Sequence, residues 1–473
     1  MSYRAVAVIF RALLRRRAMD GGGLPDRPAS QRRWRSDLSE LLRLAWPVVG
    51  ARLGIMTMGL SDSIVVGRYS VRELGYHALG WAPTSIIVTM LVGLLTGAQV
   101  MTAQRIGEGK PEAAGAVLRR SIVYALWIGV ISTVGFFAVG PFGLAHAGLA
   151  PDLAQGASRV LLVFTLSLTP YAVSCAAAFW LEGLGRPQPG MWIMWGANVV
   201  NLIVDLVLVP GRFGLHPMGA LGGAWATFIA RTFLSIALLA WIARMPDARA
   251  LGVFTRAPKD LVAEVAQRRV GYGAGASNAF EVTAFASLNL FAGWLGGFAV
   301  AAWSVTINVA AIVFMVPLGL GTATAVLVGR AYGARDPEGV KRAGEISFAV
   351  SAAFGIAIGL AVFLFAAPIA GLYTVEPTTR ALAAGAIALG VSFYWPDALQ
   401  VVAAQALRAR GDVLLPSVTH LTSYVVFMMP LAWWFALPLH MGVNGLMWAV
   451  ILASYLAAAF LLARFWMLAR RDA

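Results

Sequence analysis

Twelve apolar runs, each long enough to cross a bilayer as a helix, divide this chain from end to end: 41–66, 77–103, 120–144, 157–181, 189–210, 218–243, 270–295, 297–328, 344–372, 381–406, 413–437 and 443–467. About 20 apolar residues in a helix span the hydrocarbon layer. Hydrophobic side chains make up 59% of the sequence and charged ones 12%, about half the charged share of a soluble domain. The runs are too long for barrel strands and lack their strict alternation. Helices also satisfy every backbone polar group within the span, as a lipid surrounding demands. The expected fold is an all-α integral membrane protein with twelve transmembrane helices.

Basic residues set the orientation. One set of gaps between spans carries few of them: Arg68 and Arg72, then Arg159, Arg212 and Arg380. The alternate gaps hold Arg105, Lys110, Arg119 and Arg120, then Arg244 to Arg269, then Arg330 to Arg342, then Arg408 and Arg410. By the positive-inside rule the second set faces the cytoplasm, together with both termini. The net charge of +15 is thus a topology signal. Nucleic-acid binding would need a basic soluble domain, and the sequence has no room for one.

The chain repeats itself. Leu94, Thr96, Val100, Gly107, Pro111 and Glu112 recur as Leu320, Thr322, Val326, Gly333, Pro337 and Glu338, all at an offset of 226, and Gly185 recurs as Gly411. Matched elements share one side of the membrane, so the two halves run parallel, related by an axis along the membrane normal. The expected organisation is a basic, disordered cytoplasmic tail over 1–40, a six-helix lobe over 41–243, a linker over 244–268, a second lobe over 269–467 and a short tail over 468–473. Small residues such as Gly93 and Gly319 are expected where the lobes meet.

Four carboxylates sit deep inside the apolar runs: Asp62, Asp205, Glu281 and Asp397. A charge at the bilayer centre costs at least ~2.5–3.5 kcal/mol, so such residues mark ion or proton pathways by default. They fall two to a lobe and do not obey the repeat: the offset carries Asp62 to Leu288 and Asp397 back to Tyr171. Fold symmetry therefore does not require them. Asn198, Asn201 and Asp205 are spaced three and four apart and share one helix face. Asn278 precedes Glu281 by one turn, and Gln400 follows Asp397 by three, next to the helix-breaking Pro396. These eight residues are the candidate cation or proton coupling set. They suit a proton or a sodium ion, with no other metal and no cofactor implied. Structural hydrogen bonding is the plain alternative for each.

Tyr171, Phe280, Phe291, Tyr394 and Trp395 are candidates to line a cavity for organic cations through cation–π contacts, although aromatic residues in membrane helices more often pack. Arg231 reads as the one basic residue at depth. The five histidines look scattered near loops, with no carboxylate at metal-ligand spacing on the same helix. A single cysteine, Cys175, excludes a disulfide framework. An enzyme is therefore not expected.

The segments Phe280-Glu-Val-Thr-Ala-Phe285 and Asp397-Ala-Leu-Gln-Val-Val-Ala-Ala404, the loop Ala103-Gln-Arg-Ile-Gly-Glu-Gly-Lys110 and the turn Glu182-Gly-Leu-Gly185 resemble the multidrug and toxic compound extrusion (MATE) family, NorM-type branch. The resemblance covers 41–467. It departs at Leu407-Arg408-Ala409, where the family has a glycine in the turn. It implies two V-shaped lobes around a central cavity and antiport of drugs against protons or sodium. The family's first-, seventh- and tenth-helix acids map onto Asp62, Glu281 and Asp397, and its fifth-helix Asn-x3-Asp pattern onto Asn201 and Asp205. The implied function is efflux of amphipathic, mostly cationic organic compounds by a monomer in the inner (plasma) membrane. A lipid-linked saccharide flippase of the same superfamily is the alternative; it would be expected to offer more basic residues to a pyrophosphate head.

Overall fold

A computed structural model describes residues 29–256 and 260–472. Ten of its helices are long and apolar enough to cross a membrane, from Trp34–Tyr69 to Gly442–Arg471. The pair Pro377–Ser392 and Tyr394–Ala409, bent by 53°, makes an eleventh span. Leu261–Leu295 is a further long helix, taken below as the seventh of the twelve expected spans; its Ser277, Asn278, Glu281, Thr283 and Asn289 leave it less apolar than the others. The protein is a multi-pass membrane protein.

Boundaries differ from the sequence reading in informative places. The first helix begins at Ala29, so residues 29–40 of the expected tail extend the first span; residues 1–28 lie outside the described residues. The second helix begins at Val71, where Ser70 Oγ caps Glu73 N at 3.4 Å, well before the expected 77. The expected linker ends early, because Asp260 caps a helix starting at Leu261. Its first part is packed against the first lobe. Arg119 Nη1 donates to Gly252 O and Val253 O at 2.8 and 2.9 Å, and a bidentate Arg186–Asp247 pair holds the Asp247 carboxyl below its usual range.

Two irregularities bend the second lobe. Pro396 has no N–H to donate to the preceding turn, which frees a backbone carbonyl there; the chain tightens into a 3-10 turn at Gly390–Ser392 and bends. In the eleventh span, residues Leu421–Met428 form a π-helix ahead of Pro430, a form concentrated at functional sites.

The lobes meet through spans 1 and 8 and through spans 2 and 7, pairings that the repeat exchanges. A Cβ on Gly93 would lie 2.6 Å from Gly275 Cα, and one on Gly319 would lie 2.4 Å from Val49 Cγ2. Only glycine permits those approaches, as expected of a close-packed interface. Hydrogen bonds then join the lobes from the basic face inward: Gln99 Nε2 to Thr322 O at 2.9 Å, and deepest, Asn278 Nδ2 to Thr89 O at 3.1 Å. No described hydrogen bond joins them beyond that depth.

Candidate functional site

In the first lobe the fifth span buries one face, Met191, Met194, Ala197, Asn198, Asn201 and Asp205, the face that its spacing marks. Asn198 Nδ2 donates to Met194 O at 3.0 Å. Asn201 Oδ1 accepts from Ser61 Oγ at 3.3 Å, tying the fifth span to the first one residue before Asp62. Asp62 itself is 3% exposed, so it does not merely reach the outer interface. Its Oδ2 accepts from Thr227 Oγ1 of the sixth span at 2.6 Å, and its carboxyl interacts electrostatically with that of Asp205. Asp62 Oδ1, both Asp205 oxygens and Asn198 Oδ1 are buried with no hydrogen-bond partner.

A cavity of about 460 Å³ opens beside this pair, walled by Asp62, His77, Trp81, Tyr171, Thr227 and Arg231 among others. Arg231 is 5% exposed. Its guanidinium carbon lies 5.3 Å from the Trp81 ring and 4.6 Å from the Tyr171 ring, and its Nη1 donates to Ser167 Oγ at 2.8 Å. The aromatic contacts and the nearby Asp62 charge explain how an arginine is held at this depth.

Arg231 is not alone among buried basic residues. Arg52 of the first span faces Glu182 at 3.8 Å and stacks on Phe179. Both line a pocket of about 40 Å³ that shares Tyr171, Ile55 and Met194 with the larger cavity. The sequence reading passed over Arg52 because apolar residues flank it, and over Glu182 because it falls just past the expected end of its span.

The second lobe holds a separate cluster of buried polar and charged residues. Asp397 Oδ1 accepts from Gln400 Nε2 at 3.3 Å. Glu281 interacts electrostatically with Arg408 and with Asp397. Around them lie Tyr424, which feels both carboxylates, and His420, neither of whose ring nitrogens has a partner. Asn278 does not join this group; it bonds across the lobe interface to Thr89 O. Of the aromatic candidates, only Tyr171 walls the large cavity. Phe291 and Tyr394 are in the second lobe's core, Trp395 packs on Tyr455 at 5.2 Å, and Phe280 is half-buried.

Two histidines were missed. His77 is 4% exposed, with its ring 5.2 Å edge-on from Phe164; His420 is equally buried. His77 looked loop-like because the turn before its helix is a single residue, Ser70. No group of three or more His, Cys, Asp or Glu residues suited to a metal occurs among the described residues.

A family model described as MatE matches residues 47–207 and again 274–434, one match in each half of the repeat. The chain is 56% identical over 449 residues to "Probable multidrug resistance protein NorM" of Caulobacter vibrioides, covering 95% of both chains. It is 30% identical over 440 residues to "Multidrug resistance protein PmpM" of Pseudomonas aeruginosa, covering 91% of both. A solved structure described as the outward-facing conformation of a multidrug resistance MATE family transporter superposes with a TM-score of 0.84 at 19% identity, over 92% of this chain and 96% of that one. At that identity the likeness is one of fold.

Proposed function

The chain belongs to the MatE family, and we propose that it is a secondary active multidrug efflux transporter, exporting amphipathic, mostly cationic organic compounds in exchange for protons. It works as a monomer in the inner membrane, with its basic face and both termini in the cytoplasm. Relatives named for multidrug resistance support efflux. A flippase is not favoured: the large cavity offers a lipid-linked pyrophosphate one arginine, already engaged by Trp81, Tyr171 and Ser167. Nothing in the site calls for enzymatic chemistry.

One observation carries the choice of ion. Asp62 and Asp205 are both buried and interact electrostatically, and Asp62 fronts the cavity. Two carboxyls so placed are best satisfied by a proton between them, since both cannot be charged cheaply in low dielectric. The free oxygens around them, Asp62 Oδ1, Asp205 Oδ1 and Oδ2 and Asn198 Oδ1, are fewer than a sodium ion's usual shell. An organic cation entering the cavity favours the charged pair, and the proton favours its absence; that opposition is antiport. The bonds between the lobes lie toward the basic face, which suits an outward-open state whose partner state opens inward. In the second lobe Arg408 balances one of the two carboxylates, and we read that cluster as serving the change of state.

The test is proton release. Adding a fluorescent organic cation to purified protein in weak buffer should liberate protons, and Asp205→Asn should bind the same cation without releasing any. Equal release from wild type and from both Asp62→Asn and Asp205→Asn would overturn the reading.

A further inference from the structure

Between the second and fifth spans a single carbon is missing. Gly223, on the sixth span, is buried. A Cβ there would lie 3.5 Å from His77 Cδ2 and 3.7 Å from Asp205 Oδ1. The imidazole and the carboxylate therefore both border the space that a side chain at 223 would fill. The atoms on both sides are unsatisfied: His77 Nε2, bonded to that Cδ2, and both oxygens of Asp205 are buried without partners. Orphaned polar atoms that close to a gap describe a place for bridging water. His77 also walls the large cavity next to Asp62, while Asp205 does not reach it.

We propose that His77 is a proton-transfer residue, connecting the cavity to the Asp62–Asp205 pair through water held over Gly223. This rests on the proton reading of that pair. A hydronium ion in the cavity gives a proton to the neutral ring, breaking an O–H bond, forming an N–H bond and leaving neutral water. The imidazolium passes a proton from Nε2 to the bridging water, which gives up another of its own to the Asp205 carboxylate. One O–H bond forms on Asp205 and the ring returns to neutral. Histidine suits this because a neutral imidazole accepts a proton at one ring nitrogen and releases one from the other.

The charged and titratable groups around His77 are few. Asp62 faces it from the first span, Asp205 from the fifth and Arg231 from the sixth. From the fourth span come the Phe164 ring and the Tyr171 hydroxyl. Glu73, a turn earlier on its own helix, is occupied by Ala220 N at 2.7 Å. From the seventh span, Asn278 is spent on Thr89 O, and Glu281 interacts with Arg408.

The experiment is organic-cation transport by purified protein in liposomes under an imposed pH gradient. His77→Gln should turn over at least tenfold more slowly, with affinity for the organic cation within twofold of wild type, and should show a flatter pH–rate curve. Imidazole should restore transport to His77→Ala, a rescue that a packing role would not give. Gly223→Ala removes no functional group, and its nearest contact, 3.1 Å to Val66 Cγ2, is relieved by a slight shift; it should slow transport at least fivefold without rescue by imidazole. Wild-type rate and pH profile in His77→Gln, beside an inactive Asp205→Asn, would overturn the inference and leave the carboxyl pair in place. Wild-type transport in Asp62→Asn and Asp205→Asn would overturn the reading beneath it. If His77→Gln does not fold, a wild-type rate in Gly223→Ala overturns the inference on its own.

Discussion

Gln104 and Arg330 occupy the same place in the two repeats, and each reaches across to close the other lobe's turn. Gln104 Nε2 donates to Ala409 O at 2.8 Å, and Arg330 Nη2 donates to Leu184 O at 2.8 Å. Beside them the symmetry continues. A Cβ on Gly107 would lie 2.0 Å from Arg330 O, and one on its mate Gly333 would lie 2.2 Å from Gln104 O. Arg330 adds a second bond, Nη1 to Glu40 at 2.9 Å. Each lobe thus latches the other at the basic face, and the arginine makes the stronger latch.

Replacing Arg330 with its mate's residue should loosen that latch. Side-chain hydrogen bonds in membrane proteins average about 0.6 kcal/mol and reach about 1.7, so Arg330→Gln should shift the balance of facing states roughly tenfold. Spin labels at Val71 and Phe298, exposed at the far ends of spans 2 and 8, on a Cys175→Ser background, should show a larger short-distance population. An unchanged distance distribution counts against the latch.

The buried Arg52–Glu182 pair predicts a non-additive pair of mutations. Removing one partner leaves a lone charge, so Arg52→Met or Glu182→Gln should cost about 3–5 kcal/mol. The double variant Arg52→Met/Glu182→Met should recover at least half of that. Thermal unfolding in detergent reads both; additive losses would mean that the two charges are not compensating each other.

Glycine at the lobe interface predicts a steric effect. Gly93→Leu must push against the Gly275 backbone, and should slow transport at least tenfold while the protein still binds an organic cation. Transport at the wild-type rate would show that the lobes do not need this approach.

The orientation has its own test. With Cys175 replaced, a cysteine at Pro217 should react with an impermeant thiol reagent in intact cells, and one at Arg249 should not. Both positions are exposed. Reaction at 249 alone inverts the topology.

Much of this architecture can be read from the chain because lipid is an unforgiving solvent. Long apolar runs have few folds open to them, and a charge within one, such as Asp205, stands out against its neighbours. The repeat could be read where backbones meet, as at Gly107 and Gly333. What stayed hidden was contact between distant segments. Nothing local to His77 announces Asp205, 128 residues away, and nothing near Arg52 announces Glu182. A charge with a tertiary partner looks in sequence like a charge near a loop. Phe291, Tyr394 and Trp395 show the converse, since these aromatic candidates turned out to be packed in the second lobe.

The most direct test of the account is a pair of imposed gradients on purified protein in liposomes loaded with a fluorescent organic cation. A pH gradient at equal sodium should drive the cation across in the wild type, and a sodium gradient at equal pH should not. Asp62→Asn and Asp205→Asn should each abolish the pH-driven movement while keeping the protein folded in the membrane. Movement driven by sodium alone, or undiminished pH-driven movement in Asp205→Asn, would contradict proton antiport through the carboxyl pair.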